Sequence, residues 1–250
     1  MKDIPLYILG SGAMALAMAK GLRSSGFKLV IVGRDKARMS EFKDFVCTTY
    51  AELGNLDALH VILAFKPHAL QGLSSLIMGQ PNVVFSPLAN VGLNSLHDAF
   101  GTQNIVRFMP NIAAAYNASI TPYVCMDKRL APFAQELLGG FGQALMLANE
   151  KELELATGIA GSAPAFLALV AEALMQGGVS LGLHKELSKK LVQGMFKSSA
   201  ALIEHSHPAL IKEQICSPAG ISIKGVNVLE QRAMRSAFID ALIATNNKGN

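Results

Sequence analysis

The chain has no tryptophan, 6% aromatic residues and three cysteines among 250 residues. The cysteines, Cys47, Cys125 and Cys216, are odd in number, far apart and in no CxxC pair. That excludes a disulfide framework and a cysteine-based zinc site, and it fits a reducing compartment. Charge is scarce as well, at 16%, against a usual value of roughly 25%. The net charge is +4, yet lysine and arginine form no block, so nucleic acid is not an expected partner. Small anionic ligands fit better. A long unbroken apolar run is also missing. The longest uncharged stretch, Leu155 to Ala171, contains Thr157, Gly158, Gly161, Ser162 and Pro164. It reads as too short and too interrupted to cross a bilayer. Met1 to Pro5 does not open a signal peptide. The expectation is a soluble, cytoplasmic protein with no membrane partner.

Apolar residues are abundant, at 51%, which excludes intrinsic disorder. So few charges are too few for the surface of a chain this long. The shortfall points to surface buried against another subunit. Metal ligands on one helix face want an i, i+4 spacing, and His205 and His207 are two apart. No metal site is therefore expected. His60, His68, His97 and His184 are scattered and read as surface residues, while Met14, Met175 and Met195 read as core filler.

Short apolar runs alternate with helix-like segments in the first part of the chain. Leu6–Leu9, Leu29–Val32, Val61–Ala64, Val83–Phe85 and Ile105–Phe108 read as buried strands. Such alternation predicts an α/β domain with a parallel sheet and right-handed crossovers. A further pair, Ile120–Val124 and Ala144–Leu147, flanks a helix over about 130–138. Beyond Leu147 the strand-like runs vanish. Helices are expected at about 150–159, 164–177, 185–205, 208–215 and 227–246. The chain thus divides near Asn149 into a Rossmann-like domain, 1–149, and an all-α domain, 150–250. The stretch 155–175 is apolar nearly all round, as a helix buried on every side would be. In so small a domain, a subunit interface is its natural burial site.

Gly10-Ser11-Gly12-Ala13-Met14-Ala15 fits G-x-G-x-x-G/A between a strand and a helix. Gly10 makes the tight turn, Gly12 lets a pyrophosphate approach the backbone, and Ala15 keeps helix and strand close. The helix start supplies free N–H groups and a positive dipole end. An acidic residue ending the second strand would bind the 2′-hydroxyl of NAD. Here the strand ends Val32-Gly33-Arg34-Asp35-Lys36, with Arg38 beyond. Arg34 stands where the acid would be, and a guanidinium suits a 2′-phosphate. NADPH is the expected cofactor, with NADH as the alternative, although Asp35 lies only one residue further on.

Four later motifs narrow the reading. They are Phe65-Lys66-Pro67, Arg107-Phe108-Met109-Pro110-Asn111, Gly161-Ser162-Ala163-Pro164-Ala165-Phe166, and Cys216-Ser217-Pro218-Ala219-Gly220-Ile221-Ser222-Ile223. In this order and spacing they resemble the pyrroline-5-carboxylate reductase family over essentially the whole chain. The resemblance implies a Rossmann domain followed by helical domains that interlock in a homodimer, with further assembly common. It implies hydride transfer from NAD(P)H to the C=N carbon of 1-pyrroline-5-carboxylate, which gives L-proline. It also implies that backbone amides of the 217–222 loop hold the substrate carboxylate, and that Ser222 contacts the ring nitrogen. Ser217, Gly220, Ile221 and Ser222 are thus the candidate substrate residues, with Ser222 the catalytic one. The sequence departs from the family at Ala219 (glycine), Ile221 and Ser222 (both threonine), Ile112-Ala113 (Thr-Pro) and Leu88-Ala89-Asn90 (Ala-Ala-Gly).

The chemistry suits these residues. An iminium is already a good hydride acceptor, so the protein mainly positions C=N and binds the carboxylate. Small residues feeding a helix start can do that without an arginine. Lys66 and Pro67 lie past a strand end, where α/β sheets bind ligands, and Lys66 could touch the cofactor ribose or phosphates. Asn111, at a similar edge, could meet the nicotinamide amide. The cofactor candidates are therefore Gly10, Ser11, Gly12, Ala13, Met14, Arg34, Lys66, Pro67 and Asn111. A β-hydroxyacid dehydrogenase is the rival enzyme, but 164–175 lacks the lysine that class carries there. A non-catalytic dinucleotide-binding homologue is the other rival.

Overall fold

The computed structural model describes residues 4–76 and 79–246. Two compact units divide the chain, 1–161 and 162–250. The expected division near Asn149 differs from this packing boundary by one helix. That helix, α6 (Glu150–Thr157), packs with the first unit, because Leu153 is fully buried against Met109 and Val124.

Among the described residues the first unit holds one eight-stranded sheet in the order β3-β2-β1-β4-β5-β6-β7-β8. The strands are β1 (Leu6–Leu9), β2 (Leu29–Gly33), β3 (Val46–Thr49), β4 (His60–Leu63), β5 (Val83–Ser86), β6 (Ile105–Phe108), β7 (Ser119–Cys125) and β8 (Gly142–Met146). Interleaved with them are α1 (Ala13–Leu22), α2 (Tyr50–Leu53), α3 (Leu70–Leu76), α4 (Leu93–Phe100) and α5 (Ala131–Gly139). β4, β5 and β6 are buried at every residue, as strands covered on both faces must be. This is why they read as mainly apolar runs, with Arg107 the charged residue within β6. β1 pairs in parallel with β2 and β4, placing Leu9 beside Val32 and Leu63. Their carboxyl ends therefore form one rim.

The structure bears out the parallel sheet and adds to or corrects the sequence reading in three places. β7 runs antiparallel to β6, with Phe108 opposite Tyr123. The short connection from Met109 to Ala118 has no crossover helix and must reverse the chain. A 3₁₀ turn there, Ile112–Tyr116, lies on α1, where a Cβ on Gly21 would strike the Ala114 carbonyl. Asn117, in the left-handed region at φ 55°, locks this turn by donating to the carbonyls of Gly21 and Gly140. His60 is not on the surface: it is fully buried on β4, its ring 5.0 Å from that of Phe133. β3 escaped the sequence reading because it is an edge strand of two threonines, with Val46 exposed.

The second unit contains α7 (Ala163–Ser180), α8 (Lys185–His205), α9 (Pro208–Ile215), α10 (Ile221–Gln231) and α11 (Met234–Asn246). The final helix expected over 227–246 is in fact two helices, separated where Ala233 takes φ 55°. α7 and α8 approach closely at Gly178, where a Cβ would strike Ser188, whose hydroxyl donates to the Met175 carbonyl. Ser188 is the only buried residue described in this unit. Leu167, Leu169, Leu174, Leu187, Leu191 and Met195 are all exposed, so Met195 does not fill a core within one copy. An exposed apolar surface this extensive marks an interface.

The Leu155–Ala171 stretch is also less broken than its glycines and proline suggest. A π-helical turn, Gly158–Ser162, carries the helix through to Pro164, and the Ala160 carbonyl four residues before the proline accepts Asn111 Nδ2 in place of the missing N–H. Residues 150–180 thereby form one helix long and apolar enough to cross a membrane, with 11% of its most apolar window buried in one copy.

Candidate active site

The turn after β1 is built for a close approach of ligand to backbone. Gly10 has φ 133°, and a Cβ there would clash with the Ala64 carbonyl, so only glycine fits. Gly12 is the N-cap of α1 and faces open space, with nothing within 4 Å of where a Cβ would be. No side chain caps α1, and its first turn contains no acidic residue. The N–H groups of Ala13 and Met14 are therefore left without intrahelical partners. Ser11 is half-buried and Ala13 exposed at the mouth, while Ala15 is completely buried against the sheet. A pyrophosphate fits this cradle: its charge meets the helix dipole, and its oxygens meet free donors.

At the neighbouring strand end, Gly33 is buried with no room for a side chain, because a Cβ would meet Met39 Sδ at 2.6 Å. Arg34 follows and is exposed. The Asp35 carboxylate accepts the Ala37 N–H at 2.9 Å and caps a 3₁₀ turn, Lys36–Arg38. It is thus engaged with backbone. Lys36 lies 2.8 Å from the Glu52 carboxylate. Burial pushes the Tyr50 phenol up to about 12, against the opposing pull of the nearby Arg34 charge. Arg34, Tyr50 and Glu52 thereby share one rim. The sequence reading named neither Tyr50 nor Glu52. The pattern Thr49-x-x-Glu52 was the available signal, since it is a capping box.

Lys66 is exposed just past β4, and Pro67 opens the following 3₁₀ turn. Asn111 has a different job from the one expected. It is buried, its Nδ2 donates to the Ala160 carbonyl at 2.8 Å, and its Oδ1 accepts the Ala113 N–H at 2.9 Å. Its backbone N–H donates to Ser119 Oγ at 3.1 Å. Both ends of the amide hold the loop after β6 instead of facing a nicotinamide. Arg107, one strand position before Phe108, is 1% exposed and bonds the Glu150 carboxylate. Glu150 also accepts the Leu93 N–H at 2.9 Å, completing the start of α4, whose N-cap is Gly92. Asn90 takes φ 60°, a conformation that asparagine tolerates better than other side-chain-bearing residues.

In the second unit, Ser217-Pro218-Ala219-Gly220 forms a turn closed by Gly220 N–H donating to the Ser217 carbonyl at 3.0 Å. Proline second and a positive φ third suit a type II turn, and Ala219 has φ 57°. A Cβ on Gly220 would strike Ser217. Gly220 is the N-cap of α10, so Ile221 and Ser222 are its first two helical residues, both exposed. α10 has neither a side-chain cap nor an acid in its first turn. A second N-terminus is thus open to an anion. It starts at Ile221, earlier than the sequence reading placed the last helix. No group of three His, Cys, Asp or Glu among the described residues could hold a metal ion.

A mostly parallel sheet with a glycine-rich first turn, followed by a helical unit with an exposed apolar face, defines the class of two-unit dinucleotide-binding oxidoreductases. Known proteins narrow it. Residues 5–90 match the family described as "NADP oxidoreductase coenzyme F420-dependent", and 150–250 match "Pyrroline-5-carboxylate reductase dimerisation". The pyrroline-5-carboxylate reductase of Helicobacter pylori is 35% identical over 94% of this chain and 95% of its own. The crystal structure of the Streptococcus pyogenes 1-pyrroline-5-carboxylate reductase superposes with a TM-score of 0.88 at 27% identity, covering 98% of this chain and 97% of that one. That of the Plasmodium falciparum pyrroline carboxylate reductase, solved with NADP bound, gives 0.86 at 26%, covering 99% and 97%. The chain belongs to the pyrroline-5-carboxylate reductase family.

Proposed function

We propose that this protein reduces 1-pyrroline-5-carboxylate to L-proline with NADPH as the hydride donor. The observation that carries the reading is the bare N-terminus of α10. It offers backbone donors without a competing carboxylate, which suits the anionic group of such a substrate. The cofactor, when bound, supplies a hydride to the ring carbon of C=N. The backbone N–H groups of Ile221 and Ser222 hold the substrate carboxylate. Ser222 Oγ contacts the ring nitrogen, which carries its proton through to the product amine. The Gly10–Met14 turn would hold the pyrophosphate, Arg34 would meet the 2′-phosphate, Lys66 and Pro67 would border the ribose and phosphates, and Asn111 anchors the loop after β6.

The apolar face of 162–246 is covered by a second copy of this chain rather than by lipid. The match of 150–250 to a dimerisation family supports this, as do Glu150, Lys151, Glu152 and Glu154, which charge one end of the long helix. The sheet part thus serves the cofactor, and the helical part serves substrate and assembly. The test is NADPH oxidation by purified protein, followed at 340 nm with 1-pyrroline-5-carboxylate (that wavelength is specific to the reduced nicotinamide). Substrate-dependent oxidation with proline formed in equal amount is expected. Cofactor binding without oxidation would instead identify a non-catalytic homologue.

A further inference from the structure

Three cations, Arg34, Lys36 and Arg38, stand together after β2, but they are not equivalent. Arg34 and Arg38 make no ion pair among the described residues, whereas Lys36 Nζ lies 2.8 Å from the Glu52 carboxylate. Glu52 is itself firmly held. It accepts from Thr48 Oγ1 at 3.0 Å and from the Thr49 N–H at 3.0 Å, and its own N–H donates to Thr49 Oγ1 at 3.3 Å. Hydrogen bonds to its carboxylate from Lys36, the Thr49 N–H and Thr48 Oγ1 hold its pKa down to about 2, so the carboxylate is ionised at neutral pH.

We infer that Glu52 is a specificity-determining residue: it holds Lys36 away from the cofactor's 2′-phosphate, leaving Arg34 to distinguish NADPH from NADH. This rests on the reading that the rim after β2 receives the adenosine end of the dinucleotide. The capping box closes equally well with glutamate or glutamine, so the fold needs an acceptor at this position and not a charge. The charge has a separate consequence. It neutralises Lys36 and adds repulsion next to a site meant for a phosphate. NADH lacks that phosphate and is indifferent to both effects.

The experiment titrates NADPH and NADH into the full-length protein by nicotinamide fluorescence, using wild type, Glu52→Gln, Lys36→Ala, the double variant and Arg34→Ala. Glu52→Gln keeps the cap and should bind NADPH roughly three- to fivefold more tightly at low salt, the upper part of the range for exposed charges. NADH should stay within about twofold, and the gain should shrink with added salt. Lys36→Ala alone should leave NADPH within about twofold, because that lysine is already engaged. Added to Glu52→Gln, it should abolish most of the gain. Arg34→Ala should weaken NADPH roughly tenfold or more and spare NADH. Unchanged NADPH affinity in Glu52→Gln would overturn the inference. So would a loss in Lys36→Ala as large as that in Arg34→Ala. If Arg34→Ala weakens both cofactors equally, the 2′-phosphate site itself is misplaced, which is a separate failure.

Discussion

Replacing Ala219 with glycine should stabilise the protein, against the usual cost of adding glycine. Ala219 occupies φ 57° in the turn before α10. An L-residue in the left-handed region carries roughly 1–2 kcal/mol of steric strain between Cβ and the following carbonyl. Glycine removes that strain. It also frees the unfolded chain, at a cost of roughly 0.5–1 kcal/mol. The net expectation is about 0.5–1 kcal/mol of stabilisation, or a rise in Tm of roughly 1–4 °C for a chain of this length. The same change should make the turn easier to form around a ligand, so the KM for 1-pyrroline-5-carboxylate should fall or hold while NADPH affinity stays constant. Differential scanning calorimetry and steady-state kinetics read both effects. Gly220→Ala is the opposing control, since its new Cβ would strike Ser217 and should lower Tm. A lower Tm for Ala219→Gly would show that the turn is not strained at this residue, and the account of the loop would fail with it.

Ser222→Ala should reduce turnover as well as raise substrate KM, by roughly tenfold to a few hundredfold in kcat/KM, about 1.4–3 kcal/mol. Ser222→Thr should be tolerated, and wild-type kinetics in the alanine variant would remove Ser222 from the mechanism. Sedimentation at micromolar concentration should show a dimer or larger assembly, because the second unit buries only Ser188 among its described residues. A folded, active monomer would refute that. The Glu52 carboxyl is lowered from 4.5 to about 2, so its stabilising contribution is complete above about pH 4.5 and is lost as pH falls through 2. Acid titration of stability should therefore be shallower in that window for Glu52→Gln, and identical acid limbs would exclude the contribution.

Much of this protein is determined by local sequence. β4, β5 and β6 are mainly apolar because both faces of each strand are buried. The glycine pattern at 10–12 marks the cradle because only glycine can adopt φ 133° beside Ala64. The resemblance carried by Ser217 to Ile223 marks a turn feeding a helix, and the structure has that turn. Other features depend on partners distant in the chain, and no window of residues encodes them. The reversal of β7 follows from a loop braced on α1 through Asn117 and Ala114. The amide of Asn111 is fixed by Ala160, 49 residues away, so a residue that looked free for ligand is engaged by backbone. Arg107 sits inside a buried strand because Glu150, at the start of α6, neutralises it. His60 is buried because Phe133 packs on it. Lys36 has no partner within its own stretch of sequence, and β3, too polar to read as a strand, leads into the turn that brings Glu52 alongside it. Propensity and backbone strain act within a few residues and are legible in order along the chain. Burial and charge pairing are set by whatever the fold brings together, and only the tertiary structure decides them.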